Sequence, residues 1–148
     1  MNIMTTYLIK TEPSEYSYDD LVREKRTVWD GVTNPAARMH MRAIKKGDEV
    51  FVYHTGNEKA IVGVATVVKG AYPDPDEPGV TAKGEMKSPL IEIAPKKRAK
   101  TPVTLEMMKA DERFSHEESG FALVREPRLS VMPVPAGVAE LIRKMAGI

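Results

Sequence analysis

Apolar and polar positions alternate in some stretches of this chain and recur at helical spacing in others, and the two periods mark out its elements. Thr6-Tyr7-Leu8-Ile9-Lys10-Thr11 is rich in β-favouring residues and is stopped by Pro13, so it reads as a first strand. Ser17-Tyr18-Asp19-Asp20 has capping-box spacing, with Asp20 in the place of glutamate, and opens a short helix to about Glu24 with Leu21 inward. The stretch from Val28 reads as a loop that bends at Gly31. It leads into a helix announced by Asn34 as N-cap and Pro35 at the first helical position. Ala37, Met41 and Ile44 share the inner face of that helix, and Lys45-Lys46-Gly47 closes it.

From Glu49 to Thr55, alternation puts Val50, Val52 and His54 on one face and Phe51, Tyr53 and Thr55 on the other. Both faces carry apolar side chains, so this strand is buried on two sides. Gly56-Asn57-Glu58 turns the chain into a second strand of a hairpin, Ala60 to Val68, where Gly63 marks a bulge or a close backbone approach. The proline- and glycine-rich stretch from Ala71 to Ser88 reads as an exposed, mobile excursion without regular structure. Leu90 to Ala94 resumes the sheet, Thr104 caps a short helix from Leu105 to Ala110, and Phe121–Val124 and Leu129–Met132 read as two strand pieces broken by Pro127. A last helix turns Val138, Leu141, Ile142 and Met145 inward. These elements give one α+β domain over residues 1–148, a small barrel of mixed, mostly antiparallel strands with short helices at its ends.

Composition narrows the function. The 148 residues carry 22 Lys and Arg against 21 Asp and Glu, a net charge of +1, which argues against a protein that coats nucleic acid through bulk charge. Any nucleic-acid contact must come from local patches and a specific pocket. Arg38 and Arg42 form a basic stripe that capping does not explain, and Lys96-Lys97-Arg98 forms a basic patch. A solvated face is the default for both, with phosphate contact the alternative. The chain has no cysteine, which removes disulfides, thiolate metal sites and a cysteine nucleophile and agrees with a reducing cytoplasm. No apolar run approaches the roughly 20 residues that span a bilayer, and the first residues, Met1 to Thr6, lack the order of a signal peptide. The expectation is a cytoplasmic monomer without membrane contact.

Catalytic patterns are weak. There is no G-x-S-x-G elbow and no phosphate-cradling glycine loop, and the three histidines lack metal-ligand spacing, so neither cofactor nor metal is expected. An enzyme would have to use His54 with Glu12 or Asp30, and a hydrogen-bonded structural histidine is the simpler reading of His54. A binding pocket has better material. Trp29, the one tryptophan, shares loops or strand ends with Lys10, Glu12, Asn34, Tyr53 and His54. An indole among amide, carboxylate and hydroxyl groups suits a flat, hydrogen-bonding ring. Stacking contributes on the order of 1–3 kcal/mol per base, and flipping a base costs about as much. Polar contacts to the base edge must therefore decide affinity.

The segments Tyr7 to Tyr16, Trp29-Asp30-Gly31-Val32 with Asn34 and Ala37-Arg38, Tyr53-His54, Ala71 to Asp74 and Arg128 to Pro133 resemble, in order and over nearly the whole chain, the EVE domain family. The resemblance implies a PUA-like β-barrel. It also implies a pocket for a flipped, often modified base, in DNA more than in RNA, and no catalysis. Carried over by position, Trp29 would stack on the base. Lys10, Thr11, Glu12 and Pro13 would form one wall, Asp30, Val32 and Asn34 the loop side, Tyr53, His54 and Thr55 the floor, and Arg128, Leu129 and Ser130 the opposite rim. This chain departs from the family pattern at Pro35-Ala36, where a tyrosine and a glutamine are usual, at Thr55 in place of serine, and at Ser88 near the place of a tryptophan.

Overall fold

The structure is a computed structural model that describes residues 4–148; the reading of the N-terminal start at Met1 to Ile3 lies outside the described residues. Its strands are β1 (Thr6–Thr11), β2 (Thr27–Trp29), β3 (Glu49–His54), β4 (Ala60–Pro73), β5 (Pro89–Thr104) and β6 (Val131–Val134). The helices are α1 (Tyr18–Glu24), α2 (Pro35–Arg42), α3 (Leu105–Lys109), α4 (His116–Ser119) and α5 (Ala136–Ala146), with a 3-10 turn at Glu112–Phe114. The strands form one sheet in the order β2-β5-β4-β3-β1-β6. The β1–β3 pair is parallel and the other pairs are antiparallel. No helix among the described residues is long and apolar enough to cross a membrane.

The alternation read in β3 is realised in full, since all six of its residues are buried. The three predicted caps form, with Thr104 Oγ1 accepting the Met107 N–H at 3.1 Å. Ser17 Oγ accepts the Asp20 N–H at 3.1 Å while the Asp20 carboxylate accepts the Ser17 N–H at 2.8 Å. Asn34 Oδ1 accepts the N–H groups of Ala36 and Ala37 at 2.9 and 3.1 Å. These bonds satisfy amides that have no partner inside the helix.

Several boundaries differ from expectation. The helix α2 ends at Arg42 rather than at Gly47, and Gly47, at φ +94°, instead turns the chain into β3. β4 and β5 are long curling strands whose register shifts repeatedly, so residues read as loop, Ala71 to Pro73, and as a loose basic patch, Lys96 to Lys100, lie within the sheet. Val28 belongs to a short edge strand, not a loop. Phe121 to Val124 is not a strand. Phe121 and Leu123 are nevertheless buried, because apolar anchors in a turn give the same local pattern as a strand. The final strand starts at Val131, after Leu129-Ser130. On α5, Val138 and Ile142 are buried, while Leu141 and Met145 are only partly covered.

The barrel is also not sealed by hydrogen bonds. Its two edges, β2 and β6, have no ladder between them, and α2 packs against both β5 and β6 across that seam. β2 is three residues long and is followed by Gly31 at φ +73°, so the strand stops before it can reach the opposite edge.

Away from the seam, the Glu49 side chain on β3 is almost fully buried and is met by Lys96 from β5 and by Arg143 of α5, the latter at 2.8 Å. Burial alone would raise this carboxyl, but the hydrogen bonds from Lys96 and Arg143 outweigh it and hold it below the usual carboxylate range. A carboxyl depressed in the fold contributes stability above its unfolded pKa and loses it as pH falls through the folded one. Glu49→Gln is therefore expected to cost about 1–3 kcal/mol at neutral pH. It should also flatten the loss of stability on the acid side, which denaturant titrations at pH 7 and pH 3 would measure.

Candidate functional site

At the open seam lies a cleft of about 540 Å³, within the size range of small-molecule sites. One side is the end of β1 and the turn after it, with Lys10, Thr11, Glu12, Glu15 and Tyr16. The other side is β2 and the bend that follows, Thr27, Val28, Trp29, Asp30, Gly31 and Val32, and Ser130 closes the rim. β2 is one edge of the strand order and β1 stands next to the other edge, β6, so the cleft exists because the sheet curls without closing.

The turn after β1 is locally built. Thr11 Oγ1 donates to the Tyr16 carbonyl at 2.7 Å, and the N–H groups of Glu15 and Tyr16 both donate to the Glu12 carbonyl at 2.9 Å. Tyr16 meets Trp29 edge to face, with ring centroids 5.9 Å apart and planes at 83°. Trp29 is 8% exposed, so it belongs to the core as well as to the cleft wall.

The ionisable lining is held in place. Glu12 Oε1 accepts from the Ser14 N–H at 3.2 Å and the Ser14 hydroxyl at 3.1 Å, and Oε2 accepts from the Thr55 hydroxyl at 3.3 Å. The Ser14 backbone bond is the main reason its carboxyl titrates below the ordinary value. Lys10 Nζ donates to the Pro127 carbonyl at 2.9 Å and lies 5.6 Å from the centre of the Tyr53 ring, and desolvation lowers its pKa. The backbone seam beside it is fixed by the Lys10 N–H donating to the Ser130 carbonyl at 3.0 Å.

Of the residues expected at the site, Lys10, Thr11, Glu12, Trp29, Asp30, Val32 and Ser130 come together around the cleft. Pro13 follows Glu12 in the turn but does not line it. Tyr53 and Thr55 stand behind the lining, where they position Lys10 and Glu12. His54 does not face the cleft. Its Nε2 accepts the Tyr18 N–H at 3.0 Å, which puts the ring proton on Nδ1, 2.7 Å from Glu58 Oε1. The first bond ties α1 to β3, and the second ties the ring to the turn between β3 and β4. Asn34 is committed to the α2 cap, Arg128 is exposed away from the lining, and Leu129 is buried.

The phosphate-contact candidates are also engaged elsewhere. Arg38 Nε donates to the Val32 carbonyl at 2.7 Å, and Arg42 Nε donates to the Met86 carbonyl at 2.6 Å. Lys96 pairs with Glu49, and Arg98 pairs with Asp19 at 2.6 Å. Lys97 alone among the five is exposed without such a partner among the described residues. Sequence reasoning missed Glu15, Tyr16, Thr27, Val28 and Gly31 as lining residues; reading Val28 as loop concealed β2, the element that carries three of the lining positions.

A second groove, of about 590 Å³, runs between the Arg113–Ser119 segment and α5, but no aromatic side chain lines it. Among the described residues no group of His, Asp and Glu is arranged to hold a metal ion.

The chain belongs to the EVE domain family, whose model matches residues 5–145. Thymocyte nuclear protein 1 of Mus musculus is 30% identical over 158 aligned positions, covering 90% of this chain and 70% of that protein. The match to the Homo sapiens protein of the same name is 39% identical but spans only 38% of its length. Among solved structures, Rpa0253 from Rhodopseudomonas palustris is 40% identical, with a TM-score of 0.83 over 97% of this chain and 94% of that one. Human THYN1 protein, solved in complex with DNA containing 5-methylcytosine, is 26% identical, with a TM-score of 0.82 over 97% of this chain and 98% of that one.

Proposed function

We propose that this chain is a non-catalytic module that binds nucleic acid, DNA in preference to RNA, by taking a flipped and modified base into the cleft beside Trp29. The observation that carries the reading is the cleft itself, where an indole wall faces hydrogen-bonding groups fixed by their own partners. The DNA complex of the human relative supports the ligand class. Binding without chemistry is supported by His54, the histidine a catalytic reading would need, whose two nitrogens are already bonded within the protein. Phosphates flanking the base would be met from the exposed Lys25 beside β2 and from Arg128 beyond the Ser130 rim, since Arg26 is paired with Glu92 at 2.9 Å.

The test is a binding panel of DNA and RNA oligonucleotides that differ in one modified base. Duplex DNA with a central 5-methylcytosine is expected to bind about tenfold tighter than the unmodified duplex, the discrimination of one good base contact. The small number of free cations predicts a salt slope of about −2 to −4. Equal affinity across the panel would remove base reading. Release of an altered base would overturn the non-catalytic part, and tight binding of the free base without the polymer would mark a small-ligand binder.

A further inference from the structure

The geometry points to a charge filter: three carboxylates against one tethered ammonium in a single cleft admit bases with neutral substituents and reject a base bearing an anionic one, such as a 5-carboxyl group. This rests on the reading that the cleft receives a base. Glu12, Glu15 and Asp30 line it, and Lys10 is the one cation among the lining residues. The Lys10 ammonium is drawn to the Pro127 carbonyl and the Tyr53 ring, so it does not simply neutralise a carboxylate.

Glu12 is the fixed member of the set, with one oxygen held by Ser14 and the other by Thr55. The turn behind it leaves room only because residue 56 is glycine. A Cβ at Gly56 would stand 2.7 Å from Glu12 Oε2. Glu12 Oε1 is filled by its two bonds from Ser14, but Oε2, which accepts from Thr55, keeps a lone-pair site, so Glu12 can accept from a ligand without giving up Thr55. Carboxylates accept from exocyclic amino groups, as acidic side chains do from the cytosine amine. The same groups repel an added anion. Glu15 and Asp30 are exposed and act through water, which limits each to a weak effect. The flanking phosphates must then stay outside the cleft.

Duplexes identical except at one central cytosine, carrying either 5-methyl or 5-carboxyl, separate the possibilities. The carboxyl duplex is expected to bind about tenfold more weakly at low salt, as repulsion at a few ångströms allows. The double variant Glu15→Gln/Asp30→Asn changes exposed side chains and should shrink that ratio to about threefold or less. Equal binding of the two duplexes by the parent chain, or a ratio unchanged in the double variant, would overturn the filter while leaving the base-reading function in place. No binding of the methyl duplex would overturn both.

Discussion

Gly63→Ala is expected to destabilise the fold by about 2–3 kcal/mol, at the upper end of the usual cost of overpacking. Gly63 sits in β4 opposite Val52, next to register shifts on both sides of the strand. Its backbone is not in the left-handed region, so the glycine is required for space rather than for conformation. A Cβ there would stand 2.6 Å from two ring carbons of Tyr18. That ring cannot swing aside. Tyr18 is 1% exposed, its hydroxyl donates to the Val64 carbonyl at 2.8 Å, and the Arg98 guanidinium lies 5.2 Å from its ring centre. Urea unfolding should show a lower midpoint with an unchanged slope. Because the clash is with one side chain, pairing Gly63→Ala with Tyr18→Leu should cost less than the sum of the two single changes. A single variant with the parent midpoint would show that β4 and α1 are not packed this tightly.

The same glycine shows how the sequence conveys the fold and where it stops. Gly63 within an apolar run announced a close approach, but nothing local names Tyr18, 45 positions earlier, as the group that approaches. Elements set by nearest neighbours were readable in this way. The alternation of β3 and the caps at Ser17, Asn34 and Thr104 depend on residues within a turn of one another. The lengths of β4 and β5 depend on pairing partners far along the chain, and proline and glycine near Pro73 and Ser88 masked their ends. The intervening excursion is itself better organised than its composition suggests. Val80 bridges Met86, and Arg38 and Arg42 of α2 bind the carbonyls of Met86 and Lys87. Those arginines read as a solvated or phosphate-facing stripe because a carbonyl partner leaves no trace in sequence.

The cleft follows the same division. Lys10 to Glu12 and Trp29 to Val32 were recognisable as strand-end and loop groups, and the family resemblance brought Ser130 to them. Face assignment within β3 did not settle whether His54 turned to the cleft or to α1, since both sides of that strand are buried. Tyr16 escaped notice as a wall because its value to the site lies in its edge contact with Trp29, a tertiary fact.

That contact makes Trp29 the position with the largest expected loss, and it complicates the obvious experiment. Trp29→Ala removes a side chain packed in the core against Tyr16 and carried by the β2–β5 pair, so it should cost about 3–4 kcal/mol of stability. A binding loss in that variant would mix misfolding with lost stacking. Trp29→Phe and Trp29→Leu separate the two. Both keep apolar volume at the site, but only phenylalanine keeps an aromatic face. If the indole stacks on a base, leucine should weaken binding of the 5-methylcytosine duplex by on the order of tenfold or more, and phenylalanine should retain most of it. Urea midpoints measured alongside show whether the two variants are comparably stable. Trp29 is also the one tryptophan in the chain, so its emission reports from the cleft wall alone. Stacking should change that emission in step with binding. Equal affinity of the leucine and phenylalanine variants, with no change in the parent's emission on saturation, would make Trp29 a core residue that merely borders the cleft. The base would then be held by Glu12 and its neighbours through edge contacts.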